Sequence, residues 1–150
     1  MMYFLSQRAP SWAAVKIGKT NLTLGRWGCC ITCLSMLTSY FGRYFSPPDI
    51  AGRSEWFDDQ GRVLWTKLAF PSMEFVWRGY SENDPDMDSA IKDPNLAVIL
   101  NVNRGQHWVV ALHKTLFGKD YVCLDPWTGK KCDAKATYHD ITGYAKFKRV

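Results

Sequence analysis

Three of the five cysteines of this 150-residue chain fall within five positions, Cys29, Cys30 and Cys33, in the stretch GRWGCCITCLSML. Thiols so placed can bind a metal, form a disulfide, fill a core or attack a carbonyl. Their local settings differ. Cys29 stands where a glycine-bounded turn meets an apolar helix. A thiol at a helix N-terminus faces unpaired backbone N–H groups and the positive end of the helix dipole. Both favour the thiolate, which is the nucleophilic form. Gly28, just before it, would let a substrate backbone approach closely. Cys30 and Cys33 share the apolar face of the helix and read as small buried hydrophobes.

A nucleophilic thiol needs a base, and the chain has three histidines. His107 opens a predicted strand directly after the turn NRGQ. His113 follows at an even offset, on the same strand face but roughly 20 Å further along it. His139 lies in a polar segment and is expected on the surface. A base is usually held by a third group. Asp125 ends the next predicted strand in DYVCLDPWTGK. If the two strands form a hairpin, antiparallel pairing brings the start of the first beside the end of the second. The carboxylate would then fix the imidazole tautomer that leaves the other ring nitrogen for the thiol. On its own, Asp125 also suits an Asp-Pro turn.

Other chemistries compete for the same residues. Cys30 and Cys33 form a C-x-x-C that Cys123 and Cys132 could complete as a structural zinc site, but the second pair is too widely spaced for the usual pattern. A thioredoxin-type redox site needs a βαβ context, which is missing here. A non-catalytic binding module is the third reading. In it Trp108 and Trp127, which flank His107 and Asp125, line a groove that grips a peptide or glycan, and Trp27 and Trp127 border the site half exposed. Trp65 and Trp108 lie in apolar runs and read as core.

These residues need elements to position them. CCITCLSMLTSYFG has helical spacing, with Gly42 as its stop. SPPDIAGRSEWF predicts a short helix with Pro47 and Pro48 in its first turn. GRVLWTKLAF predicts a third helix, stopped by Pro71. SMEFVWRGY alternates as a strand, and DPDMDSAIKDP reads as a short helix with acids in its first turn. NLAVILNVN, HWVVALHKTL and DYVCLDP are β-rich runs between turns, and YAKFKRV suits a last strand. Residues before Leu24 read as extended or irregular. Helices first and strands after indicate an α+β fold with an antiparallel sheet.

The composition is that of a globular chain, with 47% hydrophobic and 22% charged residues. No linker or repeat divides it, so residues 1–150 read as a single domain. The net charge of +5 is dispersed. No zinc-finger, helix-turn-helix or basic-helix pattern is present, so no nucleic-acid partner is expected. No signal peptide and no membrane-spanning run is evident. An odd, clustered set of cysteines does not suit a secreted disulfide framework. A cytoplasmic or virion-associated protein is therefore expected, and the sequence does not fix its oligomeric state.

GRWGCCITCLSMLTSYFG, GQHWVVAL and CLDPWTGK, in that order and spacing, resemble the papain-like cysteine peptidases of the bacteriocin-processing (double-glycine leader) superfamily. The likeness is to its small stand-alone C39-like domains of bacteria and phages. The resemblance covers roughly residues 25–42 and 96–130. It implies a papain-like α+β fold, with a nucleophile helix packed on a C-terminal antiparallel sheet. It also implies Cys29 as nucleophile, His107 as general base and acid, and Asp125 as the orienting group. Trp27, Gly28, Gln106 and Trp127 would line the substrate groove, and no metal or other cofactor is implied. The family carries a Gln several residues before its cysteine. TNLTLGRW offers Asn21 or Thr23 instead, beside the backbone N–H of Cys29. The small pair that follows the family's cysteine is here Cys30-Ile31. The implied reaction is cleavage of a peptide or amide bond in a protein precursor, a peptidoglycan peptide or a ubiquitin-like tail. The alternative is a weak or inactive relative that binds peptide or cell wall or serves a structural role in a virion.

Overall fold

The computed structural model describes all residues from Met1 to Val150. Its centre is a six-stranded, wholly antiparallel sheet. The strands are β1 (Met73–Gly79), β2 (Leu96–Val102), β3 (His107–Lys114), β4 (Tyr121–Asp125), β5 (Lys130–Asp133) and β6 (Ile141–Arg149), in the order β1-β6-β2-β3-β4-β5. The helices are α1 (Leu24–Trp27), α2 (Cys29–Tyr40), α3 (Pro47–Ala51), α4 (Pro85–Lys92) and α5 (Ala134–Tyr138). This is the α+β arrangement expected from the sequence.

Both faces of the sheet are covered. Ile99, Val110, Leu124, Ala145 and Phe147 pack with α2 and α3 on one face. Val98, Leu100, Val102, Val109 and Tyr144 pack with Met87 and Ala90 of α4 and Ala134 of α5 on the other. That explains why LAVILNV reads as an unbroken apolar run: a strand buried on both sides has no polar face to show.

α2 is the central helix. Every residue from Ile31 to Ser39 is buried. Three of its four buried hydroxyls are bonded: Ser35 to the Phe45 carbonyl (2.6 Å), Thr38 to the Ser35 carbonyl (2.7 Å) and Ser39 to the Met36 carbonyl (2.6 Å), while that of Thr32 has no partner. Gly42, at φ 91°, then takes the left-handed conformation that ends such a helix cheaply. In α3, Ser46 and Asp49 form a reciprocal capping box ahead of Pro47 and Pro48.

Two expectations fail. GRVLWTKLAF is not a helix. Val63 bridges to Phe57, and only Trp65–Lys67 makes a 3₁₀ turn. Its aromatic ring goes instead into a cluster, with Trp65 stacked on Phe75 at 5.6 Å, so tertiary packing overrides the local spacing. His113 does not share a face with His107. A register shift between Ala111 and His113 in the β3–β4 ladder breaks the alternation, leaving His113 exposed and His107 buried. β5 and α5, in a polar stretch without period, had no signal in the sequence. No helix is long and apolar enough to cross a membrane.

Candidate active site

Cys29 is the first residue of α2. α1 runs into α2 through Gly28 alone, and Gly28 is forced there by space. A Cβ would lie 2.5 Å from the Leu24 carbonyl oxygen and 2.8 Å from Leu24 Cδ2. Gly28 is buried and lines neither hollow at the site, so its lack of a side chain serves the helix joint. The backbone N–H of Cys29 heads α2, where no intrahelical acceptor exists.

His107 is presented by the turn between β2 and β3. Asn103, Arg104 and Gly105 all have positive φ, at 54°, 56° and 83°. The turn is tied down from both sides. The Arg104 N–H donates to the Asp140 carboxylate (3.1 and 3.2 Å), and Asn101 Nδ2 donates to the carbonyls of Gly105 (3.1 Å) and His107 (3.0 Å).

The hairpin of β3 and β4 brings His107 and Asp125 together. His107 Nε2 lies 2.9 Å from Asp125 Oδ1. Asp125 is only 2% exposed. Burial alone would raise its pKa, but hydrogen bonds from His107, Tyr138 and the Trp127 N–H hold it below the ordinary carboxylate range. An ionised Asp125 only accepts, so Nε2 carries the proton and Nδ1 is left for the thiol. For His107, burial alone would lower the pKa. The hydrogen bond to Asp125, then the hydrogen bonding and charge of Cys29, outweigh it and raise the imidazole to about 9.

The other four thiols have no such partner. Burial pushes Cys30, Cys33 and Cys123 well above the usual thiol value, and Cys132 up to about 11. No three potential ligands converge where they could hold a metal. Cys123 and Cys132 face each other across β4 and β5.

Two hollows meet at Cys29, Trp27 and Gln106, which border both. The first, about 590 Å³, is closed by His107, Gln7, Trp127 and Tyr138. The second, about 520 Å³, is walled by Trp65, Trp108, Arg78 and Tyr80. Trp65 and Trp108 are thus half-buried groove walls as well as core neighbours. Trp127 is pinned by Arg8, whose Nε donates to its carbonyl (2.8 Å) and whose guanidinium lies 4.1 Å from its ring centre. Asn21 and Thr23 border neither hollow. Asn21 is exposed and accepts from Lys16 Nζ (3.4 Å), and Thr23 precedes α1 and bridges to Lys16.

Two residues at the site escaped the sequence reading. Gln7 is 1% exposed and reaches the first hollow because residues before α1 run back along α2. The Tyr3 N–H donates to Ser39 Oγ (2.9 Å), and the Gln7 N–H donates to the Pro126 carbonyl (2.7 Å). Its Nε2 donates to the carbonyls of Gly25 (3.2 Å) and Leu24 (3.4 Å), while Oε1 is buried with no partner. Tyr138, from α5, donates its hydroxyl to Asp125 Oδ2 and sets its ring 4.9 Å from that of His107. A glutamine 22 positions before the cysteine and a lone tyrosine in a polar segment carry no local signal. Only the chain path brings them in.

Residues 26–140 match the model of the Peptidase C39 family. The chain belongs to that family. The resemblance drawn from the three motifs and the papain-like α+β fold it implied are thereby borne out. Membership makes cysteine peptidase chemistry on a peptide or protein substrate the general expectation for this C39 member. No curated protein and no solved structure matches the chain.

Proposed function

We propose that this C39 family member is a thiol-dependent hydrolase of peptide or amide bonds, acting as one domain over residues 1–150 through Cys29, His107 and Asp125. The observation that carries the reading is the buried His107–Asp125 pair at 2.9 Å, whose His107 lines the same hollow as Cys29 at the head of α2.

Nδ1 of His107 takes the proton of the Cys29 thiol, and the thiolate attacks the substrate carbonyl carbon. The electron pair of the carbonyl moves onto its oxygen. That oxyanion accepts from the Cys29 N–H and from Nε2 of Gln7, the second donor in place of Asn21 or Thr23. Nε2 exchanges its long bond to the Leu24 carbonyl (3.4 Å) for the oxyanion and keeps the one to Gly25 (3.2 Å). The imidazolium then gives its proton to the leaving nitrogen as the C–N bond breaks. Water, deprotonated by His107, attacks the thioester, and the acid departs as the thiol is restored. Asp125 keeps its negative charge throughout and stabilises the imidazolium; Tyr138 and the Trp127 N–H hold its carboxylate in place. Because His107 must reach the leaving amine, the hollow it borders takes the leaving peptide. The hollow beyond Cys29 takes the acyl side.

The substrate is a peptide segment threaded between Trp27 and Trp127, 53% and 40% exposed, in a protein precursor or a peptidoglycan stem. The test compares wild type with Cys29→Ala on peptide mixtures and on purified cell wall, with products mapped by mass spectrometry. Cleavage by wild type and none by a folded Cys29→Ala supports the reading. A fully active Cys29→Ala with an inactive Cys30→Ala overturns the choice of nucleophile.

A further inference from the structure

The hollow on the acyl side of Cys29 holds a cation without an anion. Arg78, near the end of β1, is half-buried in its wall. The rings of Tyr80 and Trp108 lie 4.1 and 4.8 Å from its guanidinium carbon. One terminal nitrogen donates to the Gly79 carbonyl, and the other reaches Asn101 Oδ1 at 3.5 Å. Asn101 is the residue that also bonds the Gly105 and His107 carbonyls. The guanidinium is therefore anchored to the turn that presents the catalytic base.

The backbone makes room for this head group. A Cβ on Gly143 of β6 would lie 2.6 Å from Arg78 Nη1. The Gly79 carbonyl oxygen would lie closer still, so this glycine admits both the neighbouring backbone of β1 and the guanidinium bound to it. No carboxylate forms an ion pair with Arg78. The one acid in the same hollow, Asp58, is engaged by Arg62 at 2.8 Å and by the N–H groups of Gln60 and Arg62. Stacking orients the Arg78 fork but consumes none of its donors. Three of its five N–H groups have no protein acceptor. A planar, held, uncompensated guanidinium in a peptide groove matches a carboxylate.

We propose that Arg78 is a specificity-determining residue that pairs with the carboxylate of an aspartate or glutamate on the N-terminal side of the scissile bond. The assignment of that side rests on the hydrolase reading above; the pairing itself does not. A peptide with glutamine in place of the acid leaves the guanidinium unpaired and binds roughly 10- to 100-fold more weakly.

Two arms test it. In the first, folded Cys29→Ala protein is used to retain peptides from a randomised library, and the same is done with Cys29→Ala combined with Arg78→Gln or Arg78→Glu. Peptides rich in aspartate or glutamate at one position are expected on the Arg78 protein. The enrichment is lost with Arg78→Gln and turns to lysine or arginine with Arg78→Glu. In the second arm, wild type cleaves the library and the cuts are mapped, with the acid expected before the cut. Absence of acidic enrichment on the Arg78 protein, or enrichment that survives Arg78→Gln, overturns the proposal, as does an acid selected only after the cut. Arg78-dependent acidic retention without any cleavage by wild type would uphold the pairing and sink the hydrolase reading instead.

Discussion

Asp125→Asn isolates the pair on which the account depends. Asparagine keeps the volume of a side chain that is 2% exposed and removes its charge. In the native protein burial alone would lower the pKa of His107; Asp125 supplies the first of the effects that raise it to about 9. Without it, Cys29 alone opposes burial. The full rise is between two and three units above the usual 6.5, each unit being about 1.4 kcal/mol. Losing the Asp125 hydrogen bond and charge therefore lowers the pKa of His107 and removes on the order of 1–3 kcal/mol of pH-dependent stability. The sign follows from the direction. A pKa raised in the folded state contributes stability that is full below about 6.5 and lost as pH rises through about 9. The stability gap between wild type and Asp125→Asn should thus be widest near pH 6 and narrow towards pH 10. The Asp125 charge also pushes up the thiols of Cys33, Cys123 and Cys132; its loss lowers them too, which narrows the gap further at alkaline pH. The assay is NMR titration of the His107 ring together with urea unfolding across that range. A wild-type His107 that titrates near 6.5, or one whose titration Asp125→Asn leaves in place, would refute the reasoning.

Gln7→Ala should keep the fold and lower kcat by about 10²–10³ with little change in KM, the usual loss for one oxyanion donor; steady-state kinetics on any cleaved peptide checks it. Tyr138→Phe removes the hydroxyl that Asp125 Oδ2 accepts. It should cost about 1–3 kcal/mol of stability and slow turnover without altering which bond is cut, measured by unfolding and product mapping. Gly28→Ala puts a methyl 2.5 Å from the Leu24 carbonyl and should destabilise by about 1–3 kcal/mol, read from the urea midpoint.

The sequence was legible where chemistry and structure are local. Cys29 marks a turn-to-helix boundary, and His107 opening a strand and Asp125 closing the next are positions that a hairpin must bring together. The alternation of β1 and the doubly buried run of β2 made the sheet readable. Gln7 was not legible, because its approach depends on the path of residues 1–23 over α2 and on a bond to Pro126 across the molecule. Tyr138 depends in the same way on α5, a five-residue helix too short to show a period. The failed helix at GRVLWTKLAF and the displaced His113 share one cause. Aromatic packing around Trp65 and the irregular ladder after Ala111 are decisions of tertiary structure that local spacing does not encode.

In the proposed mechanism Cys29, paired with His107, is the nucleophile among five free thiols. The most direct test of that assignment is the rate at which each cysteine takes up trace iodoacetamide near pH 7, followed by peptide mapping, in wild type and in His107→Ala. Cys29 should react at least about tenfold faster than any other cysteine, since an activated thiolate outcompetes buried thiols, and this advantage should collapse in His107→Ala. Equal labelling of Cys29 and Cys132, preferential labelling of Cys30, or a Cys29 rate indifferent to the loss of His107 would contradict it.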